Sequence, residues 1–157
     1  MKTDDPAALD FMRRSMVARI ATLSSNGRPS ITPLYFVYVN GHIWLGTADW
    51  TLAAREVKAD PRVSVLFEIE RNPNDRRILR ITGSGSVQTD AKILRSSDLR
   101  TVFKYILTPG GIRNRLAYLK LRQAERRYHA QSAAKGLRCI IDVTPEQVEF
   151  LNKEANS

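Results

Sequence analysis

Two Asn-Gly pairs, Asn26-Gly27 and Asn40-Gly41, constrain this chain more than any other feature. Each stands between runs rich in β-branched and aromatic residues. A two-residue type I′ turn needs φ > 0 at both central positions, which Asn tolerates and Gly adopts freely. The spacing predicts two tight hairpins built from strands over residues 19–24, 30–39 and 42–47. Ile20, Thr22 and Ser24 share one face of the first strand. Pro33 lies inside the second and removes a ladder donor, so that strand is expected to bend, bulge or lie at an edge there.

The rest of the chain supplies the covering elements. Asp5 and Pro6 open a short helix over residues 6–15, with Leu9 and Met12 turned to the sheet. A second helix spans 51–58, capped by Thr51 or Asp49 and stopped by Asp60-Pro61. Val63, Val65 and Phe67 alternate with Arg62, Ser64 and Leu66 in a fourth strand over 62–70. A polar turn over 71–75 leads to a fifth strand over 76–88, where Gly83 and Gly85 point to a bulge or a close backbone approach. Helices follow over 90–107, capped by Thr89 or Asp90, and over 113–130. A sixth strand spans 137–143, and a short one over 148–151 follows a turn at Pro145. Short antiparallel strands with regular turns argue for a mainly β chain with helices (β+α), closed or partly closed into a barrel because closure removes exposed edges.

At 157 residues the chain has the length of one domain, with a helical insertion at about 90–130. Apolar residues at 43% and charged residues at 26% exclude a disordered composition. No apolar run approaches the ~20 residues that span a bilayer, and the acidic start MKTDDPAALDF is no secretory signal. With Cys139 as the single cysteine, no intrachain disulfide forms, which fits a cytoplasmic location. The net charge of +9 favours anionic partners.

Little in the sequence reads as protein-borne catalytic chemistry. His42 and His129 stand in different elements and form no cluster with Cys139, so no metal site is expected. His42 reads as a strand-surface residue beside a turn, and His129 as a solvated helix end. Cys139, in an apolar strand, reads as a buried structural thiol. Tyr35 and Phe36 alternate, so one faces the barrel interior and the other a ligand or a partner. Trp50 precedes the second helix, where it can cover a ring, and Trp44 reads as core. Arg113, Arg115, Lys120, Arg122, Arg126 and Arg127 form the main basic cluster: a solvated face, or a holder for an anionic group. Aromatic interleaving there is limited to Tyr118 and Tyr128, and no groove-reading motif accompanies them, which speaks against nucleic acid.

Two stretches, ARIATLSSNGRPSITPLYF and LGTADWTLAAREVKADPRVSVLFE, carry a resemblance. Helix, hairpin, hairpin, short helix and a strand opening Asp60-Pro61-Arg62-Val63-Ser64 resemble the pyridoxamine 5′-phosphate oxidase-like superfamily of FMN-binding split barrels and their deazaflavin-dependent relatives. The resemblance implies a six-stranded antiparallel, Greek-key-like split β-barrel and a homodimer with cofactor sites at the interface. It implies an oxidoreductase that moves a hydride to or from a small organic substrate with FMN or a deazaflavin coenzyme. Thr47 matches the hydroxyl residue at the end of the third strand, followed by Ala48, and Thr51 the one that opens the helix holding the cofactor phosphate. Thr32, Pro33, Leu34 and Tyr35 match the strand along the flavin ring, and Trp50 lies beside it. The family usually places a basic pair after the Thr51 position. This chain has Leu52 and Ala53 there, with Arg55 and Lys58 one turn on as partial substitutes. That departure keeps open a non-enzymatic cofactor- or haem-binding protein, with a basic nucleic-acid-binding module behind it.

Overall fold

The computed structural model describes residues 1–72, 74–105 and 136–152. Among them the order is α1 (Pro6–Arg14), β1 (Ala18–Leu23), β2 (Pro29–Leu34), β3 (Phe36–Val39), β4 (His42–Ala48), α2 (Leu52–Ala59), β5 (Arg62–Phe67), β6 (Arg77–Gln88), α3 (Ala91–Tyr105) and β7 (Arg138–Asn152). The seven strands form one antiparallel sheet in the order β2-β1-β5-β6-β7-β4-β3. Its two outermost strands, β2 and β3, are consecutive in the chain and separated only by Tyr35. The sheet therefore curls into a half-barrel whose edges are joined by a single residue, a split-barrel-like β+α fold.

Both hairpin turns form where the Asn-Gly pairs stand. Only the second has φ > 0 at both central residues, 48° at Asn40 and 91° at Gly41. In the first, Gly27 alone is left-handed at 78°, and the turn is the longer one closed by Gly27 N–H to the Ser24 carbonyl and Ser24 N–H to the Arg28 carbonyl. Two strand predictions change. The run over 30–39 is two strands: β2 stops at Leu34, one residue after Pro33, and β3 starts at Phe36. Pro33 sits on an edge strand, where its missing donor leaves no ladder bond unmade. The short strand expected after Pro145 is instead the second half of β7, which runs straight through that proline. The register passes from Thr82↔Gln147 to Gly83↔Pro145, so Glu146 is the extra residue of a bulge. A Cβ on Gly83 would stand 2.1 Å from the Thr144 carbonyl oxygen, so only glycine fits the β6 side of that bulge.

The core lies inside the curl. Ile20, Phe36, Ile43, Leu45, Val65, Phe67, Leu79, Ile81 and Ile141 are fully or almost fully buried, and Phe11 and Met12 of α1 close one end. Phe36 and Phe67 meet edge to face with centroids 4.7 Å apart, as do Phe11 and Phe150 at 5.3 Å. Asp5 caps α1 by accepting the Ala7 N–H, and Asp90 caps α3 by accepting that of Lys92. Trp44 is no part of the main core. It alternates with the buried Ile43 and Leu45, pairs with Val37, and turns to the outer face of the sheet. Val37, Val39 and Ile140 are buried on that same outer face, where α3 packs on β3 and β7.

Two identical devices start β5 and β6. Asp60 accepts the backbone N–H and the guanidinium of Arg62, and Asp75 does the same for Arg77. Those bonds hold both carboxyls down at about 2. No helix of the described residues is long and apolar enough to cross a membrane. The Arg113–Arg127 cluster, Tyr118, Tyr128 and His129 lie outside the described residues.

Candidate functional site

The end of β4, the loop Asp49-Trp50 and the start of α2 form a tight corner. Thr51 is the N-cap of α2: its Oγ1 accepts the Ala54 N–H at 3.4 Å and donates to the Ala48 carbonyl at 2.8 Å. Thr47 Oγ1 lies 2.9 Å from Thr51 Oγ1. The two hydroxyls therefore stand together at the helix N-terminus, where the first amides have no partner within the helix and the dipole favours an anion. Arg55 and Lys58 follow at i+4 and i+7 from Thr51, exposed on one face. Ala53, Ala54, Glu56 and Val57 face inward.

The corner is tied to the strand expected along a ring. The Gly46 N–H donates to the Tyr35 carbonyl at 3.1 Å, which joins the β2–β3 junction to β4 one residue before Thr47. Thr32 and Leu34 are half-buried on the inner face of β2, and Pro33 is exposed on the other. Tyr35 is 52% exposed and Phe36 buried, so the pair splits as the alternation requires, with the tyrosine outward. Ala48 is buried and Trp50 half-buried. On the far side the Asp49 N–H donates to the Leu137 carbonyl at 3.0 Å. Gly136 lets β7 enter against this loop, since a Cβ there would stand 2.9 Å from Trp50 Cδ1. The structure thus brings Thr47, Ala48, Trp50, Thr51 and Arg55 to one corner and Thr32–Tyr35 to the strand bonded to it. Lys58 lies two turns away.

Leu52 and Ala53 differ in what they do. Leu52 is 48% exposed, whereas Ala53 is 1% exposed. A long basic side chain at 53 would be driven into the core.

The donor set suits a phosphorylated cofactor: two hydroxyls, helix amides and the Arg55 guanidinium, with a half-buried aromatic beside them. Beyond this corner, His42 Nδ1 lies 2.8 Å from Asp142 Oδ1 on the outer face, half-exposed as a strand-surface residue should be. Cys139 is buried, and burial, with Asp49 acting in the same direction, pushes its thiol up to about 11, so it is unreactive near neutrality. No group of three or more His, Cys, Asp or Glu side chains suited to a metal occurs among the described residues.

Two charged residues, Glu56 buried and Lys104 half-buried, carry no signal in the sequence. Glu56 is 6% exposed. Lys104 Nζ donates to the Met12 carbonyl at 3.2 Å and sits 3.2 Å from the centroid of the Phe36 ring. Burial pushes its ammonium down to about 7 against the opposing pull of Glu70. Both stand in helices whose charged residues otherwise face solvent, so no local pattern marks them.

The family model for pyridoxamine 5′-phosphate oxidase matches residues 4–109 of this chain, from before α1 to past Tyr105. The chain belongs to the pyridoxamine 5′-phosphate oxidase family. No curated protein matches it. Among solved structures, a conserved hypothetical protein of Mycobacterium tuberculosis superposes with a TM-score of 0.68 at 18% identity, covering 96% of this chain and 85% of that one. A structure described as an F420 reductase gives 0.61 at 20% identity, with coverage of 89% and 94%. HutZ, the haem storage protein of Vibrio cholerae, gives 0.63 at 18% identity, with 97% and 95%. At these identities the likeness shows the fold. Within this one fold the named proteins include a reductase and a haem-storage protein, so activity has to be argued from the site.

Proposed function

We propose that this protein is a homodimeric oxidoreductase of its family, using FMN or a deazaflavin coenzyme to transfer a hydride to or from a small organic substrate. One observation carries the reading: the Thr47–Thr51 hydroxyl pair at the α2 N-terminus, with Arg55 on the following turn and Tyr35, at the end of β2, accepting the N–H of Gly46 beside Thr47. Thr47, Thr51 and the first amides of α2 would hold the cofactor phosphate, and Arg55 and Lys58 would neutralise it. Thr32, Pro33, Leu34 and Tyr35 would lie along the ring, with Trp50 covering it. When bound, the cofactor supplies the hydride chemistry. The chain's own residues place the ring, exclude water with Trp50 and Tyr35, and set the polarity around it. Ile31, Tyr35 and Leu52 are exposed apolar side chains on the elements that form this corner, and a second copy would cover them.

The absorbance spectrum of the protein as purified, followed by titration with FMN and with the deazaflavin, tests the reading. A saturable spectral change with one of them, and reduction of that bound cofactor by a substrate panel, is the expected result. Absence of saturable binding by both would refute it.

A second reading rests on Leu52, an exposed apolar side chain where the family usually has a basic one. It is a non-enzymatic binder of a cofactor or haem, as the likeness to the haem storage protein allows. Saturable haem binding with no turnover of a reduced flavin would select it.

A further inference from the structure

Glu56 stands between Arg55 and Lys58 in α2, yet it is 6% exposed while they face solvent. A carboxylate in that position needs donors, because an unpaired buried charge is strongly destabilising. Two hydroxyls supply them. Thr22 Oγ1 donates to Glu56 Oε2 at 2.5 Å, and Ser30 Oγ to Oε1 at 3.1 Å. Thr22 and Ser30 are direct cross-strand partners on β1 and β2. One helix side chain therefore grips both strands of one hairpin.

For packing alone a leucine or methionine would fill the same space at lower cost. Apolar burial is non-directional, so it leaves a helix free to roll and slide on a sheet. Two hydrogen bonds to fixed strand positions remove that freedom. The strand being gripped carries Thr32 and Leu34 on the same face as Ser30. The helix being gripped carries Thr51, Arg55 and Lys58 on its other side.

We propose that Glu56 is a positioning residue: it sets the roll of α2 on the β1–β2 hairpin, and with it the spacing between the anion-holding groups of α2 and the Thr32–Tyr35 segment. The functional consequence rests on the cofactor reading above; the seating of α2 does not.

Three variants test this. Glu56→Leu removes both acceptors. Glu56→Gln keeps the shape and serves both hydroxyls, since an amide accepts from one and donates to the other. Ser30→Ala removes only the half-buried donor, and carries the test if Glu56→Leu does not fold. The first measurement is backbone amide exchange of the cofactor-free protein. Glu56→Leu is expected to speed exchange in α2 about tenfold and Ser30→Ala about threefold, with β6 and β7 unchanged and Glu56→Gln close to the parent. Unchanged α2 protection in the folded variants would overturn the proposal. The second measurement compares FMN and the deazaflavin coenzyme with riboflavin and deazariboflavin, which lack the phosphate. The preference for the phosphorylated form should fall about tenfold in Glu56→Leu and return in Glu56→Gln, while affinity for the bare ring stays within about threefold. An unchanged preference in a folded variant would overturn the positioning role. If the parent binds none of these compounds, the cofactor reading fails, and the exchange measurement still decides how α2 is seated.

Discussion

At the scale of single residues, the charges removed wholly or partly from solvent are the most informative departures from an ordinary surface. Lys104 is the clearest. Its ammonium lies over the Phe36 ring and bonds the Met12 carbonyl, and burial lowers its pKa to about 7. Below pH 7 the folded and unfolded chains both carry this proton, and the full cost of holding a buried charge weighs on the fold. Between about pH 7 and the unfolded value near 10.4 the unfolded chain binds the proton and the native one does not, so stability rises with pH. Denaturant melts across this window should show that rise, at a slope of at most about 1.4 kcal/mol per pH unit. Lys104→Met should flatten it. A parent curve already flat there would contradict the burial of this group. Asp60 and Asp75, whose charged forms the fold favours, give a slope of the same sign in a lower window: their contribution is present at neutral pH and fades as pH falls from about 4 toward 2.

Among the elements, backbone fit decides what each position tolerates. Gly83 faces the Thr144 carbonyl across the β7 bulge, and backbone cannot yield as a side chain does. Gly83→Ala should destabilise the protein by about 1–3 kcal/mol in chemical denaturation. Gly46→Ala, with open space at its Cβ, should change stability by less than about 0.5 kcal/mol. Equal effects would place the bulge elsewhere. Local chemistry announces much of this scale. The Asn-Gly turns, the caps at Asp5 and Thr51, the edge position of Pro33 and the bulge at Gly83 all follow from neighbouring residues. The break at Tyr35 and the unbroken β7 do not, because each depends on which strand lies alongside. Trp44 reads as core by composition, and only its alternation with Ile43 and Leu45 against a helix-covered outer face places it otherwise. Thr47 and Thr51 are legible as a pair of hydroxyls at a strand end and a helix start. Glu56 is not, because its partners lie 34 and 26 residues away on a hairpin.

Over the whole molecule, one sheet is rolled into a half-barrel until its two outermost strands, β2 and β3, are consecutive in sequence. The proposed function sets an anionic cofactor at the corner where the Thr47–Thr51 hydroxyl pair meets the α2 N-terminus, a proposal with which the net charge of +9 is compatible. The most direct measurement is a fluorescence titration of FMN and of the deazaflavin coenzyme, with the parent protein and Thr51→Glu side by side. Thr51→Glu sets a carboxylate where the phosphate should lie, and circular dichroism checks that it folds. Saturable quenching of one cofactor by the parent is expected, with at least about a tenfold loss of affinity in the variant. No saturable quenching of either cofactor, or equal affinity in a folded Thr51→Glu protein, would contradict the proposed function.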